Sequence, residues 1–165
     1  MTIKRILIII LFMIISGALQ HITHELLHLI IGKLNGLKFL KIQWLTYHGG
    51  TKVFFENEPD FGKSEEFSKS WVYMSSAGII GTTVLAYFFV VIYCFIPLGY
   101  FKLFMWVLSI FFLVTDSGYA LLGSIGNFGD TYLIKKYYKL GRTQMTLLSL
   151  PLFILNICIL YFVIL

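Results

Sequence analysis

The chain has 165 residues, of which 58% are hydrophobic and only 13% are charged. A water-soluble globule of this size needs more polar side chains to cover its surface, so the composition excludes an ordinary soluble enzyme and predicts that lipid forms much of the solvent. The net charge of +5 comes from Lys and Arg between the apolar segments. This placement is typical of membrane flanks, and it gives no indication of nucleic-acid binding.

Four apolar stretches approach or exceed the ~20 residues that a membrane-spanning helix needs. They cover about residues 6–31, 71–98, 103–125 and 145–165. We therefore expect an all-α polytopic membrane protein, built as a single membrane-embedded domain over residues 1–165. The lipid bilayer is then its first partner, and a multi-pass protein of the cell membrane is the expected class. The sequence leaves its oligomeric state open.

The N-terminal segment also has the features of a cleavable signal peptide. Lys4 and Arg5 precede an apolar run, and residues 16–18 are small, as they are at a cleavage site. Apolar character resumes after Gln20, however, and cleavage would remove the membrane-embedded half of the helix. We therefore expect the segment to remain as part of the first span.

The first span ends in the motif His24-Glu25-Leu26-Leu27-His28, which has the HExxH pattern of zinc proteases. Two histidines four residues apart project from one face of a helix and can share a tetrahedral zinc. Glu25 lies beside them and can act as the general base, taking a proton from a zinc-activated water and passing it to the leaving amine. A chance match is the alternative. Polar groups at membrane depth are costly unless they are paired, which favours the metal site.

The depth of the motif agrees with this interpretation. At 1.5 Å per residue the two histidines lie roughly 27 to 33 Å from Ile6, near the far interface of a ~30 Å hydrocarbon core, where water can enter. His21 lies on the same face one turn earlier. It is either a participant in the site or a polar neighbour with a partner of its own, and His48 is expected to be solvated.

Residues 37–55 are predicted to form a small β-hairpin after the first span. Strand-forming residues flank Gly49-Gly50, which supplies a tight turn. An open hairpin edge can take up an extended peptide as an additional strand. The alternative is a hairpin that only connects two helices, and the sequence does not separate the two.

A zinc ion bound by two histidines needs a third protein ligand, commonly a carboxylate, and an open position for water. Asp116 and Asp130 are the candidates outside the acidic loop. Measured along a straight helix from Leu103 they lie roughly 20 and 40 Å deep, so neither matches the histidines directly. A glycine-rich break over residues 123–129 would shorten the path to Asp130, as the first residue of a new helix over 130–140. Broken backbone at depth must line protein or water, which favours Asp130.

Membrane orientation follows from the basic residues. With four spans, one side holds ten of the thirteen Lys and Arg residues, in segments 33–70 and 135–142, and the other holds Lys4, Arg5 and Lys102. By this count the ten-residue side is cytoplasmic and the N-terminus is outside. The Lys4-Arg5 pair beside the first span favours the opposite orientation.

The order of these motifs resembles the site-2 protease family of zinc intramembrane proteases, especially its small members with few spans. The likeness includes the HExxH at the end of the first span, the hairpin over 37–55, Ala77-Gly78 at the start of the second span, and Asn127-Phe128-Gly129-Asp130 after the third. In the family, Ala-Gly is often followed by proline and then by an asparagine, and an asparagine-rich turn leads to Leu-Asp-Gly.

This chain departs from the family pattern at four places. Ile79 and Thr82 stand where the family has that proline and asparagine, and Gly129 and Thr131 flank Asp130 where the family has leucine and glycine. The resemblance implies that Asp130 completes the zinc site.

The resemblance also implies a function. We expect a zinc metalloendopeptidase with one Zn²⁺ per chain held by His24, His28 and Asp130, and with Glu25 as the catalytic base. Its substrate would be a transmembrane or membrane-anchored protein segment. Imidazole and carboxylate ligands also accept other divalent metals, so zinc rests on the motif and on the resemblance. The alternative is a catalytically inactive zinc-site membrane protein that acts as a binding or regulatory module. A transporter is disfavoured because a pathway needs no Glu between two such histidines.

Overall fold

The structure is a computed structural model that describes residues 3–44, 51–56 and 68–164. Its elements in chain order are α1 (Ile3–Leu34), β1 (Phe39–Gln43), β2 (Lys52–Phe55), α2 (Lys69–Phe95), α3 (Tyr100–Gly126), α4 (Gly129–Tyr137) and α5 (Arg142–Ile159), which continues as a short π-helix, Leu160–Ile164. Helices α1, α2 and α3, and α5 with its extension, are long and apolar enough to cross a membrane. The predicted fold class is confirmed, and the protein is a helical membrane protein with a small hairpin after its first helix.

Helix α1 has the inverse of the pattern of a water-soluble helix. Large apolar side chains such as Leu7, Leu11 and Ile14 are exposed on its outer surface, as expected for contact with lipid. Its buried face is polar or small, and comprises Ser16, Gln20, His24, Glu25, His28 and Gly32. Because lipid accepts apolar groups and rejects polar ones, α1 directs its polar stripe into the bundle.

The bundle core lies between α2 and α3, and α1 packs against both of them. Buried Ala86 and Val90 of α2 meet Phe112 and Leu113 of α3 there. A polar link secures α5 to this core, because the Tyr87 hydroxyl donates to Asn156 Oδ1 at 2.9 Å and Asn156 Nδ2 donates to the Leu113 carbonyl at 2.9 Å. Hydrogen bonds of this kind hold helices together where lipid offers no hydrophobic driving force.

The hairpin is antiparallel, with Phe39 opposite Phe55 and Gln43 opposite Lys52. Phe55 is buried, and its ring lies so close to Gly32 of α1 that a side chain at position 32 would collide with it. Its ring also meets Trp71 of α2 edge to face, with centroids 5.9 Å apart. The hairpin is therefore fixed against α1 and α2. The predicted Gly49-Gly50 turn lies outside the described residues.

The break after the third span is shorter than predicted. Helix α3 continues through Gly123 to Gly126, and only Asn127 and Phe128 separate it from α4. Asn127 has a left-handed backbone with φ 64° and ends α3. Gly123 serves close packing, because a Cβ there would lie 2.6 Å from Thr131 Oγ1. The glycine cluster thus marks the approach of α4 to α3, and the reversal needs just two residues.

Single cysteines placed in a protein without Cys94 and Cys158 test the topology. Cysteines replacing exposed Lys38 and Lys139 should react from the same side of sealed vesicles, and one replacing Lys4 should react from the other, because α2 and α3 together return the chain to the same face. A membrane-impermeant maleimide added to one side at a time gives the measurement. Reaction at positions 38 and 139 from opposite faces would contradict the four-span arrangement.

Candidate metal centre

Three side chains from two helices converge at one point inside the bundle. His24 and His28 lie one turn apart on α1, and Asp130 lies in the first turn of α4. His24 Nε2 is 2.9 Å from His28 Nε2, and Asp130 Oδ2 lies 3.1 Å from the first nitrogen and 3.3 Å from the second. Both histidines are buried. The structure thus brings together the three residues that the sequence predicted as metal ligands.

The spacing of these atoms fits a small divalent ion. Two ligands of a tetrahedral zinc, each about 2.05 Å from the metal, are separated by about 3.3 Å. The observed separations of 2.9 to 3.3 Å form a triangle close to that size. Two imidazole nitrogens and one carboxylate oxygen are also a usual donor set for catalytic zinc, which leaves one coordination position open. The residues present therefore fit the metal that the motif implies.

The hydrogen bond that His28 makes through Nδ1 leaves the lone pair of its Nε2 facing this triangle of atoms. His28 Nδ1 lies 2.6 Å from the Met74 carbonyl, which can only accept a hydrogen bond. Nδ1 therefore carries the hydrogen, and in a neutral ring Nε2 then has a free lone pair. A second partner of this kind fixes the orientation of a metal-binding imidazole and raises its basicity.

His24 has a carboxylate behind it. Its Nδ1 lies 3.0 Å from Asp116 Oδ1, within ion-pair distance, although the direction of the contact does not meet hydrogen-bond geometry. Gln20 Nε2 donates to the other carboxylate oxygen, Asp116 Oδ2, at 2.8 Å. Gln20 and Asp116 are both buried. Asp116 thus contacts the outer nitrogen of His24, whereas Asp130 contacts the inner one.

The depths inferred from sequence separated these carboxylates from the histidines because they assumed that Ile6 and Leu103 are level. In the structure the rings of Phe12 and Phe104 meet edge to face with centroids 5.3 Å apart. His24 and Asp116 each lie twelve residues further along parallel helices, so they are at the same depth. Asp130 reaches the site because the chain reverses immediately after α3.

Close helix packing places α2 beside the histidines. A Cβ at Gly78 would lie 2.5 Å from the His24 ring and 2.8 Å from that of His28, so glycine is required at this contact. Thr82, which stands where the resemblance would place an asparagine, donates to the Gly78 carbonyl of its own helix at 2.6 Å. Its hydroxyl is therefore occupied within α2.

Comparisons with known proteins add no identification: no family model, no curated protein and no solved structure matches the chain.

A cavity of about 380 Å³ opens directly on the three converging atoms. Glu25 lines it without belonging to the triangle. The start of β2 forms another wall, through residues 51–53. His21 connects α1 to the hairpin, because its Nε2 lies 2.6 Å from Thr51 Oγ1. His48 lies outside the described residues.

The surroundings of Asp130 favour its ionised form. Burial by itself raises the pKa of its carboxyl group. When both imidazoles carry a proton at Nε2, however, the charge of His28 and hydrogen bonds from the two rings outweigh that effect and hold the pKa well below its usual range. A carboxylate must be deprotonated to bind a metal, so the protein already maintains the ligand form.

Three features of the site escaped the sequence reasoning. The Met74 carbonyl is a backbone group and leaves no signal in the sequence. Gln20 does leave one, because it is a polar residue in a span and lies four residues before His24 on the same face. Tyr119 lies three residues after Asp116 and lines the cavity. One aromatic residue among the 29 Phe, Trp and Tyr of this chain carries no special pattern.

The two carboxylates should differ in a zinc titration. Asp130→Ala removes a ligand atom and should abolish stoichiometric binding. Asp116→Ala leaves all three ligand atoms in place and should weaken affinity by about 10 to 100-fold, the usual effect of losing the partner of a ligand. Competition against a chromophoric chelator in detergent gives both constants. Loss of zinc in Asp116→Ala with retention in Asp130→Ala would reverse the assignment.

Proposed function

We propose that the chain is a zinc-dependent intramembrane endopeptidase of the site-2 protease type, which hydrolyses peptide bonds of transmembrane or membrane-anchored proteins. The proposal rests mainly on one observation. Two histidine nitrogens and one aspartate oxygen converge within 3.3 Å of one another, beside a glutamate that lines the same cavity. Convergent polar groups in the interior of an apolar bundle are costly to build, and they usually mark a functional site.

In this proposal, different residues of the site bind the metal ion and transfer the proton. His24, His28 and Asp130 would hold one zinc ion, which would supply Lewis acidity and lower the pKa of water. Glu25 would accept the proton of the attacking water and deliver it to the nitrogen of the leaving amine. Asp116 and the Met74 carbonyl would keep the two imidazoles in the orientation that ligation needs.

The cavity suggests how a substrate would approach. Strand β2 borders the cavity at its first two residues, Lys52 and Val53, and β1 pairs with one side of β2. A peptide segment that has left its helix is extended, and strand addition along a hairpin edge would satisfy its backbone groups at a depth where lipid cannot. We infer that the substrate is an unwound membrane segment held between this edge and Glu25. The cell membrane is the proposed location.

Glu25→Gln separates hydrolysis from metal binding. The substitution keeps the size of the side chain and removes its basicity, so zinc should stay at one per chain while cleavage of a membrane-embedded model peptide falls by at least about 10²-fold, the lower end of what general-base catalysis contributes. Elemental analysis of the purified protein and mass spectrometry of the products give the two measurements.

Leu26→Ala is the control at the neighbouring position, because Leu26 is exposed toward lipid and lies outside the cavity, and alanine keeps that surface apolar. Its cleavage rate should stay near that of the unmodified chain. If Glu25→Gln cleaves as fast as the unmodified chain, Glu25 is not the base. A zinc-loaded unmodified chain that cleaves no peptide would favour the binding or regulatory module instead.

A further inference from the structure

Tyr119 touches two of the three candidate ligands. Its ring meets that of His24 edge to face, with centroids 6.1 Å apart and planes at 88°. At the other end of the side chain, the hydroxyl oxygen accepts a hydrogen bond from the backbone N–H of Asp130. Tyr119 also lines the cavity that contains Glu25. Its hydroxyl is therefore next to the reaction centre of the proposed enzyme.

Gly129 makes this position available. The hydroxyl of Tyr119 occupies the space in which a Cβ at position 129 would stand, so any side chain there would displace it. Gly129 also has a left-handed backbone, with φ 65°, which glycine adopts without strain. Two independent features thus require glycine here, and together they admit a phenol beside Asp130.

The hydroxyl group of Tyr119 has one hydrogen-bonding capacity that no described residue uses. A phenol can donate once and also accept. The oxygen of Tyr119 accepts from Asp130 N–H, and among the described residues no group accepts its own hydrogen. Tyr119 is partly exposed, and it is one of the residues that line the cavity. The Tyr119 hydroxyl can therefore donate a hydrogen bond to a ligand in the cavity.

Three other residues with hydroxyl groups line the same cavity, Thr51, Ser75 and Tyr132, and they are less suited. The ring of Tyr132 lies 5.9 Å from the ammonium nitrogens of Lys135 and Lys136, so this side chain is directed to the lysines of α4. Thr51 Oγ1 already donates to the Trp44 carbonyl at 2.7 Å. Ser75 Oγ has no partner among the described residues, but it is fully buried, so a peptide in the cavity cannot reach it. Tyr119 is the hydroxyl that combines access with contact to the ligands.

We propose that Tyr119 is a catalytic hydrogen-bond donor that binds the carbonyl oxygen of the scissile peptide bond; this rests on the proposed endopeptidase function. As the water oxygen bonds to the carbonyl carbon, negative charge develops on the carbonyl oxygen and the Tyr119 O–H bond points to it. The water proton moves to Glu25 and then to the leaving nitrogen when the C–N bond breaks. Tyr119 keeps its proton throughout. A preorganised donor of this kind typically contributes about 10² to 10³-fold to kcat.

Tyr119→Phe is the test, because it deletes one oxygen and keeps the ring contacts with His24 and Phe128. We expect stoichiometric zinc binding, a KM near that of the unmodified chain, and a kcat lower by about 10² to 10³-fold. A phosphinic peptide, whose anionic oxygen resembles the developing charge, should lose affinity for the zinc-loaded variant by a similar factor, since transition-state interactions govern both quantities. Calorimetry measures that affinity without turnover.

Tyr87→Phe is the control, because it removes another phenol hydroxyl between helices, the one bound to Asn156 outside the cavity. It should leave kcat and phosphinate affinity near those of the unmodified chain. An unchanged kcat and affinity in Tyr119→Phe, or a loss of zinc that explains the lower rate, would overturn the role of Tyr119 and leave the proposed function standing. Failure of the unmodified chain itself to cleave peptide or bind the phosphinate would overturn both.

Discussion

The structure depends on one constraint, which is that two histidine nitrogens and one aspartate oxygen lie within 3.3 Å of one another inside a bundle whose exterior is apolar. Such atoms lose hydration on burial, and they need protons or a cation between them to offset their mutual repulsion. The rest of the fold accommodates this cluster. Helix α1 turns its polar stripe inward, Gly78 lets α2 reach the imidazole rings, and the two-residue reversal after α3 returns Asp130 to their depth.

The surrounding groups give each candidate ligand a defined orientation. The Met74 carbonyl binds the outer nitrogen of His28, the Asp116 carboxylate faces that of His24, and Tyr119 accepts the backbone N–H of Asp130. Gln20 in turn binds Asp116. Asp116 is buried and Asp130 is partly buried, and different proposed tasks would explain why both occur near one pair of histidines. Asp130 would supply a ligand atom, and Asp116 would support the ring that supplies another.

Much of the fold could be predicted from the sequence because its signals are local. Apolar length predicts the four spans, and the HExxH spacing predicts that His24 and His28 share a face. The relative depth of Asp116 could not be predicted, because it depends on how far α3 is shifted along α1, and that shift is set by side-chain contacts such as Phe12 with Phe104. The prediction that Gly123 begins a break in the chain was wrong for a similar reason, since glycine permits close packing of helices as well as breaks. The position of Tyr119 in the site could not be predicted either, because it depends on how α3 and α4 pack together.

X-ray absorption at the zinc edge of the purified, zinc-loaded protein tests the proposed coordination, because it reports which atoms surround the metal. We expect two imidazole rings and one or two oxygen atoms at about 2.0 to 2.2 Å, and no sulfur at about 2.3 Å. Cys94 and Cys158 are exposed in helices α2 and α5, and neither belongs to the cluster. A first shell that contains sulfur, or fewer than two imidazoles, would contradict the site built by His24, His28 and Asp130.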